Sequence, residues 1–165
     1  MTIADQLNAK GATPETILQI LKTSVFEASD DRSPDEMKAV LKRAASDPEK
    51  VDQALKELEA KPELVRDIAM MWISFAASDP EYKDAVEGAI DGADREMPML
   101  EIGAITLIAL YAIYMMGPDK PIKEKTTTKW NKDGSFQETT EAEYSRFDAP
   151  VKALLGIFTK GAGNG

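Results

Sequence analysis

The chain of 165 residues contains no cysteine and no histidine. Without cysteine there can be neither a disulfide framework nor a thiolate metal site. Without histidine the chain lacks the side chain that most often acts as a general base near neutral pH and most often binds transition metals. We therefore expect a protein that is not an enzyme, and the sequence predicts no catalytic, cofactor-binding or metal-binding residue.

Several short motifs that would indicate a ligand or a compartment are also missing. There is no Gly-x-Ser-x-Gly elbow and no glycine-rich phosphate loop. A calcium loop with Gly134 at its sixth position would need acidic ligands at its first and twelfth positions, which are Lys129 and Thr140. The first residues do not combine a basic region with an apolar stretch, so we expect no secretory signal and a location in the cytoplasm or at its membrane face.

Positive charge is scarce in the first part of the chain. Residues 1–96 carry 12 Lys and Arg against 21 Asp and Glu, whereas residues 97–165 carry 8 of each, so the net charge of −9 belongs to the first segment. An acidic body repels nucleic-acid phosphates, and we expect no nucleic-acid partner. The change of composition predicts an acidic helical region, 1–96, and a second region, 97–165, that packs with it as one globular unit.

Helix start signals recur through the acidic region. Proline is favoured at the first helical position, and a preceding Ser, Thr or Asp caps the exposed N–H groups; Thr13-Pro14, Ser33-Pro34, Asp47-Pro48 and Asp79-Pro80 fit this pattern. The sequence predicts a mainly α fold of the α+β class, with about six helices before residue 97. Their predicted ranges are 3–9, 14–28, 34–45, 48–60, 62–77 and 80–91, followed by an apolar helix over 98–116.

Apolar spacing indicates which helix faces are buried. Ile17, Ile20, Leu21, Val25 and Phe26 form one predicted apolar stripe on the second helix. The segment 68–77 is apolar nearly all round, and at ten residues it is too short to span a bilayer. We therefore expect it to be a buried central helix.

The segment Ile102–Met116 contains no charged residue. A helix without a polar face must be buried all round, in protein or in lipid. Extended back to Met97 the apolar stretch reaches about 30 Å, the thickness of a bilayer core, but it then includes Glu101, and the lysines that follow would orient it badly. The sequence favours burial within the domain or against a partner over membrane insertion. The predicted partner-facing or membrane-facing residues are Ile102, Ile105, Leu107, Ile108, Leu110, Tyr111, Ile113, Tyr114 and Met115.

A β-hairpin and a closing helix are predicted after this segment. Asp133-Gly134 separates two segments rich in threonine and aromatic residues, Lys123–Trp130 and Ser135–Phe147, and an Asp-Gly pair in this position is typical of a hairpin turn. Lysines 123, 125 and 129 on the first strand are expected to oppose glutamates 138, 141 and 143 on the second. An amphipathic helix then begins near Ala149 and continues through Thr159.

The order of apolar helix, Lys- and Thr-rich strand, Asp-Gly turn, acidic strand and closing helix resembles the C-terminal part of bacterial effector-associated component modules. The residues that carry the resemblance are 100–105, Lys123–Trp130, Asp133-Gly134 and 148–158. Such modules are small proteins encoded beside caspase-like, trypsin-like or nucleotide-switch proteins in bacterial immunity systems. The resemblance implies an adaptor or accessory role and no catalytic residue.

These observations predict a non-enzymatic interaction protein, either an adaptor or a structural subunit, that binds a protein partner or a second copy of itself. The alternative is a membrane-anchored or membrane-inserting effector in which Met97–Met116 is embedded in lipid. The sequence predicts no cofactor for either.

Overall fold

The computed structural model describes residues 2–93, 102–117, 122–144 and 149–163. Within these ranges the chain forms eight helices and one two-stranded antiparallel sheet, which confirms the predicted mainly α fold with a hairpin and a closing helix. The elements are α1 (Ile3–Lys10), α2 (Pro14–Ala28), α3 (Pro34–Ala44), α4 (Pro48–Glu59), α5 (Pro62–Ala77), α6 (Lys83–Gly92), α7 (Ile102–Met116), β1 (Ile122–Trp130), β2 (Phe136–Tyr144) and α8 (Ala149–Gly163).

Local capping fixes the starts of the early helices. Ser33 accepts a hydrogen bond from the Glu36 N–H at 3.2 Å, and the Glu36 carboxylate accepts the Ser33 N–H at 3.1 Å. The same reciprocal pair joins Thr2 and Asp5 at the start of α1. Two hydrogen bonds from Ser33 lower the pKa of Glu36. The bond from the backbone N–H has the larger effect, and the bond from the hydroxyl has the smaller one. These bonds are the reason why helices begin where the sequence places them.

The start of α6 differs from the prediction. The helix begins at Lys83 rather than at Pro80, because the residues from Asp79 to Tyr82 form a turn. The Asp79 carboxylate accepts the Glu81 N–H at 2.8 Å, and the Asp79 carbonyl accepts the Tyr82 N–H at 3.0 Å. Asp79 followed by Pro80 therefore caps a turn, and the helix begins three residues later.

The apolar stripe of α2 differs from the prediction at one residue. Ile17, Ile20, Leu21 and Val25 are buried as expected, but Phe26 is 42% exposed. Because residues of a helix are spaced by about 100°, Phe26 lies on the side of α2 away from the buried residues. The predicted burial of Phe26 is wrong, whereas the predicted burial of the central part of α5 is confirmed.

The hairpin has the predicted turn and a partly different pairing of charges. Gly134 has a φ of 91°, and the Asn131 N–H donates to the Ser135 carbonyl at 2.8 Å to close the turn. Lys125 lies opposite Glu141 in the register. However, Lys129 lies opposite Gln137, and Glu138 lies opposite Thr128, so the expectation that lysines oppose glutamates is wrong for these two residues.

Side chains of α1 and α5 cover the outer edges of the hairpin. On β2, the Asn8 amide accepts the Phe136 N–H at 2.7 Å and donates to the Phe136 carbonyl at 2.8 Å, so that it occupies the place of a peptide group in a neighbouring strand. On β1, the Thr128 N–H donates to the Ser74 hydroxyl at 3.0 Å. A two-stranded sheet is only marginally stable alone, and these bonds satisfy backbone groups that the hairpin itself leaves unpaired. The hairpin is therefore anchored to the helical body at both edges.

Replacing Asn8 by leucine, which has similar size but no amide, should lower the free energy of unfolding by about 1–3 kcal/mol. It should also remove the protection of the Phe136 amide from hydrogen exchange. The matched variant Asn8→Asp retains the acceptor and should preserve that protection. Equal exchange at Phe136 in both variants would show that the amide pair does not hold this edge.

Candidate functional site

Helix α7, the sequence-predicted site, packs against α2, α3, α4, α5 and α8. The first four of these helices belong to the acidic segment and the last to the C-terminal segment, so α7 connects the two parts of the chain. Ala109, Leu110, Ala112 and Ile113 have no exposed surface. A helix that is apolar on every face thus has other helices of the same chain on several sides, as burial in protein requires.

The nine predicted site residues have different environments. Ile102 begins α7, and Tyr114 and Met115 near its end are half-buried. The remaining six are buried, with exposed fractions from 0 to 7%: Ile105, Leu107, Ile108, Leu110, Tyr111 and Ile113. The structure therefore brings most of the predicted partner-facing residues together in the chain's own interior.

The hydroxyl of Thr106 does not give α7 a polar face. Thr106 is 1% exposed, and its hydroxyl donates to the carbonyl of Gly103, one turn earlier in the same helix, at 3.0 Å. Among the described residues, every buried side-chain nitrogen and oxygen atom has a hydrogen-bond partner. The apolar helix is thus buried without an unsatisfied polar side chain, which would cost free energy.

Aromatic contacts connect the end of α7 to α8. Tyr114 packs edge-on against Phe158 with ring centroids 5.5 Å apart, and the rings of Tyr111 and Tyr114 are 5.7 Å apart. Burial raises the pKa of Tyr111, and the positive charge of Arg32 partly opposes this increase. A Cβ at Gly117 would lie 2.6 Å from Leu155 Cδ1, which shows how closely α8 approaches the end of α7.

A buried polar pair connects α2 to α5 beside this core. Trp72 and Ser24 both have no exposed surface, and the Trp72 indole N–H donates to the Ser24 hydroxyl at 2.8 Å. The Ser24 hydroxyl in turn donates to the carbonyl of Ile20. A fully buried indole N–H without a partner would be destabilising, so the small polar residue in the apolar stripe of α2 has a structural reason.

A second candidate site lies at the end of α2, where the apolar pattern of the sequence predicts burial. Phe26 is the one large apolar side chain that is exposed in the described part of the chain. Glu27, Asp30 and Asp31 follow it and are exposed as well. We call these four residues the Phe26 surface. The signal in the sequence was the position of Phe26 directly after Val25, which places two adjacent residues of the predicted stripe 100° apart.

The backbone holds the Phe26 surface in one conformation. The Phe26 carbonyl accepts the Asp31 N–H at 2.8 Å and the Ser29 hydroxyl at 2.9 Å. Asp30 and Asp31 both have a φ of 59°, in the left-handed region that aspartate tolerates better than most residues. The turn that ends α2 therefore places the Asp31 N–H directly against the Phe26 carbonyl.

Across the described ranges no helix has the length and apolar character to cross a membrane, and no group of three or more acidic residues is placed to hold a metal ion. Residues 97–101 of the alternative lipid-embedded segment lie outside those ranges. Comparisons with models of protein families, with curated proteins and with solved structures find no match for this chain.

Proposed function

We propose that this chain is a non-enzymatic interaction protein, an adaptor or a structural subunit, that acts in the cytoplasm by binding another protein. The observation that carries the proposal is the exposure of Phe26 on a helix whose other large apolar residues are buried or half-buried. Phenylalanine is among the aromatic residues that are enriched at protein interfaces relative to the rest of the surface. Phe26 is therefore the candidate anchor of the interface.

The packing of α7 supports this proposal over the membrane-inserting alternative. For α7 to enter lipid it would have to leave α2, α3, α4, α5 and α8, which together bury it. The exposed apolar surface that a binding partner could use instead lies on α2. The interface in this proposal is thus on the acidic helical segment, whereas α7 serves as the core that holds the segments together.

The resemblance to effector-associated component modules supports a role for such an adaptor as an accessory component of a bacterial immunity system. This part of the proposal predicts that the gene lies beside genes for effector or nucleotide-switch proteins. Examination of genomic neighbours tests it, and a neighbourhood without such genes in several genomes would contradict the placement in immunity but not the binding function.

Site-specific photo-crosslinking tests the binding function. A photoreactive phenylalanine analogue is placed at Phe26 and, as matched exposed controls on other helices, at Ala39, Gln53 and Lys83. In cells of the source organism we expect one protein to be crosslinked at position 26 and not at the controls, and its identity follows from mass spectrometry. The absence of a specific adduct at all four positions would contradict the proposed function.

The variant Phe26→Ser separates binding from folding. Because Phe26 faces away from the buried side of α2, the substitution should change the free energy of unfolding by no more than about 0.5 kcal/mol. With the identified partner purified, we expect the same variant to weaken binding at least about 10-fold, as the loss of an aromatic anchor does. A large loss of stability with unchanged affinity would show that Phe26 is a structural residue.

A further inference from the structure

We propose that the partner of the Phe26 surface presents an apolar pocket bordered by lysine and arginine. This inference rests on the proposed function and adds the chemistry of the partner. It follows from the arrangement of one exposed aromatic side chain with three exposed carboxylates, Glu27, Asp30 and Asp31, on one rigid turn. An apolar anchor surrounded by a polar rim is the usual arrangement of a specific interface.

The positive charges near the Phe26 surface do not neutralise its three carboxylates. Lys22, one turn earlier on α2, is half-buried. Arg32, the residue after Asp31, is also half-buried, so the three exposed carboxylates outnumber these two partly covered cations. The whole segment 1–96 carries 21 acidic against 12 basic residues, and its field adds to that of the surface. A partner with complementary charge is attracted at long range and aligned on approach.

Fixed geometry makes the surface suitable for specific binding. Asp30 donates its N–H to the Glu27 carbonyl at 3.1 Å, and Asp31 donates its N–H to the Phe26 carbonyl at 2.8 Å. The backbone of the two aspartates therefore does not have to be ordered by the partner. Binding to a preorganised surface costs less conformational entropy than binding to a mobile loop.

The same charges disfavour a second copy of the chain as the occupant. A two-fold symmetric dimer places the same patch of both subunits together, so Glu27, Asp30 and Asp31 of one copy would meet those of the other. Like charges brought together at an interface are strongly unfavourable. A partner of opposite charge meets no such repulsion, whereas the repulsion between two copies of the chain disfavours self-association.

Titration with two short peptides, followed by NMR on isotope-labelled full-length protein, tests the inference. The first probe is acetyl-Lys-Lys-Leu-Leu-Lys-Lys-amide, and its acidic counterpart replaces every lysine by glutamate. We expect the basic probe to shift the amide resonances of residues 23–31 selectively and the acidic probe to shift none of them. The shifts should decrease as salt is added, because screening weakens attraction between exposed charges.

Matched variants separate this site from the general negative charge of the protein. D30N/D31N keeps residues that tolerate a positive φ and should reduce the affinity for the basic probe about 10-fold, as should Phe26→Ser. The control E63Q/D84N removes two exposed carboxylates elsewhere and should leave the affinity nearly unchanged. Shifts spread over the whole acidic segment, with equal affinity in all three variants, would overturn the inference.

The two experiments fail in distinguishable ways. A protein adduct at position 26, together with no selective response to the basic probe, would overturn the partner chemistry and leave the binding function intact. An adduct between two copies of this chain at position 26 would overturn the inference as well, since it requires the repulsion described above to be overcome.

Discussion

Replacing Leu110 by alanine should lower the free energy of unfolding of the isolated monomer by about 2–5 kcal/mol, the range found for large-to-small substitutions in packed cores. Leu110 has no exposed surface and lies in the middle of α7, which packs against five helices of its own chain. The loss arises within one molecule, so it should not depend on protein concentration. Chemical denaturation at two protein concentrations measures both properties.

Met115 supplies the control on the same helix. It is half-buried near the end of α7, so Met115→Ala should cost less than Leu110→Ala. If instead α7 were buried against a partner, Leu110→Ala would leave the stability of the monomer nearly unchanged and would weaken only the assembly. That result would contradict the assignment of α7 to the chain's own core.

Replacing Trp72 by alanine should lower the free energy of unfolding by about 3–5 kcal/mol, because the hydrophobic core loses its largest fully buried side chain. The ring of Trp72 lies 5.9 Å from that of Phe75 and 5.5 Å from that of Tyr82 between centroids, and these contacts are lost with it. Ser24→Ala should cost about 1–3 kcal/mol, since it leaves the indole N–H buried without an acceptor. Thermal or chemical unfolding of each variant provides the values.

A double-mutant cycle isolates the hydrogen bond between these two residues. In Trp72→Phe the donor is absent, so adding Ser24→Ala should cost clearly less than it does in the natural chain. Additive losses in the cycle would show that the 2.8 Å contact between the indole N–H and the Ser24 hydroxyl does not stabilise the fold. The cost of Ser24→Ala would then have to come from packing alone.

The elements of this fold are largely predictable from the sequence because their signals are local. Proline at the first helical position and a capping residue before it define the starts of α2, α3 and α4, and Asp133-Gly134 defines the hairpin turn. The same local signal fails at α6, where Asp79 caps a turn that precedes the helix. A capping residue satisfies exposed N–H groups, and a turn provides such groups as well as a helix does.

Contacts between distant parts of the chain were not predictable in this way. Asn8 bonds to Phe136 across 128 residues of sequence, and Ser24 bonds to Trp72 across 48. Nothing in the spacing of polar residues relates these positions, because the folded arrangement of the helices determines which side chains meet. The hydrogen bonds of Asn8 to β2 and of the Trp72 indole to Ser24 are therefore properties of the tertiary structure.

The candidate sites show the same division. The sequence identifies α7 as a helix that must be buried on all sides, but periodicity alone does not say whether protein or lipid surrounds it. The apolar stripe that the sequence predicts on α2 includes Phe26, the residue after Val25. Helix spacing alone places Phe26 about 100° from Val25, and the structure adds that this side of α2 is exposed, which makes the side chain a candidate for binding.

Native-state hydrogen exchange of the isolated protein tests most directly whether α7 is its internal core. We expect the amides of Ile108 to Ile113 to be among the most protected, to exchange only through global unfolding and to keep this protection when lipid vesicles are added or the protein is diluted. Exchange of these amides far faster than that of Trp72 and Ile73 in α5 would contradict the assignment of α7 to the core. So would protection that appears only at high protein concentration or in the presence of lipid.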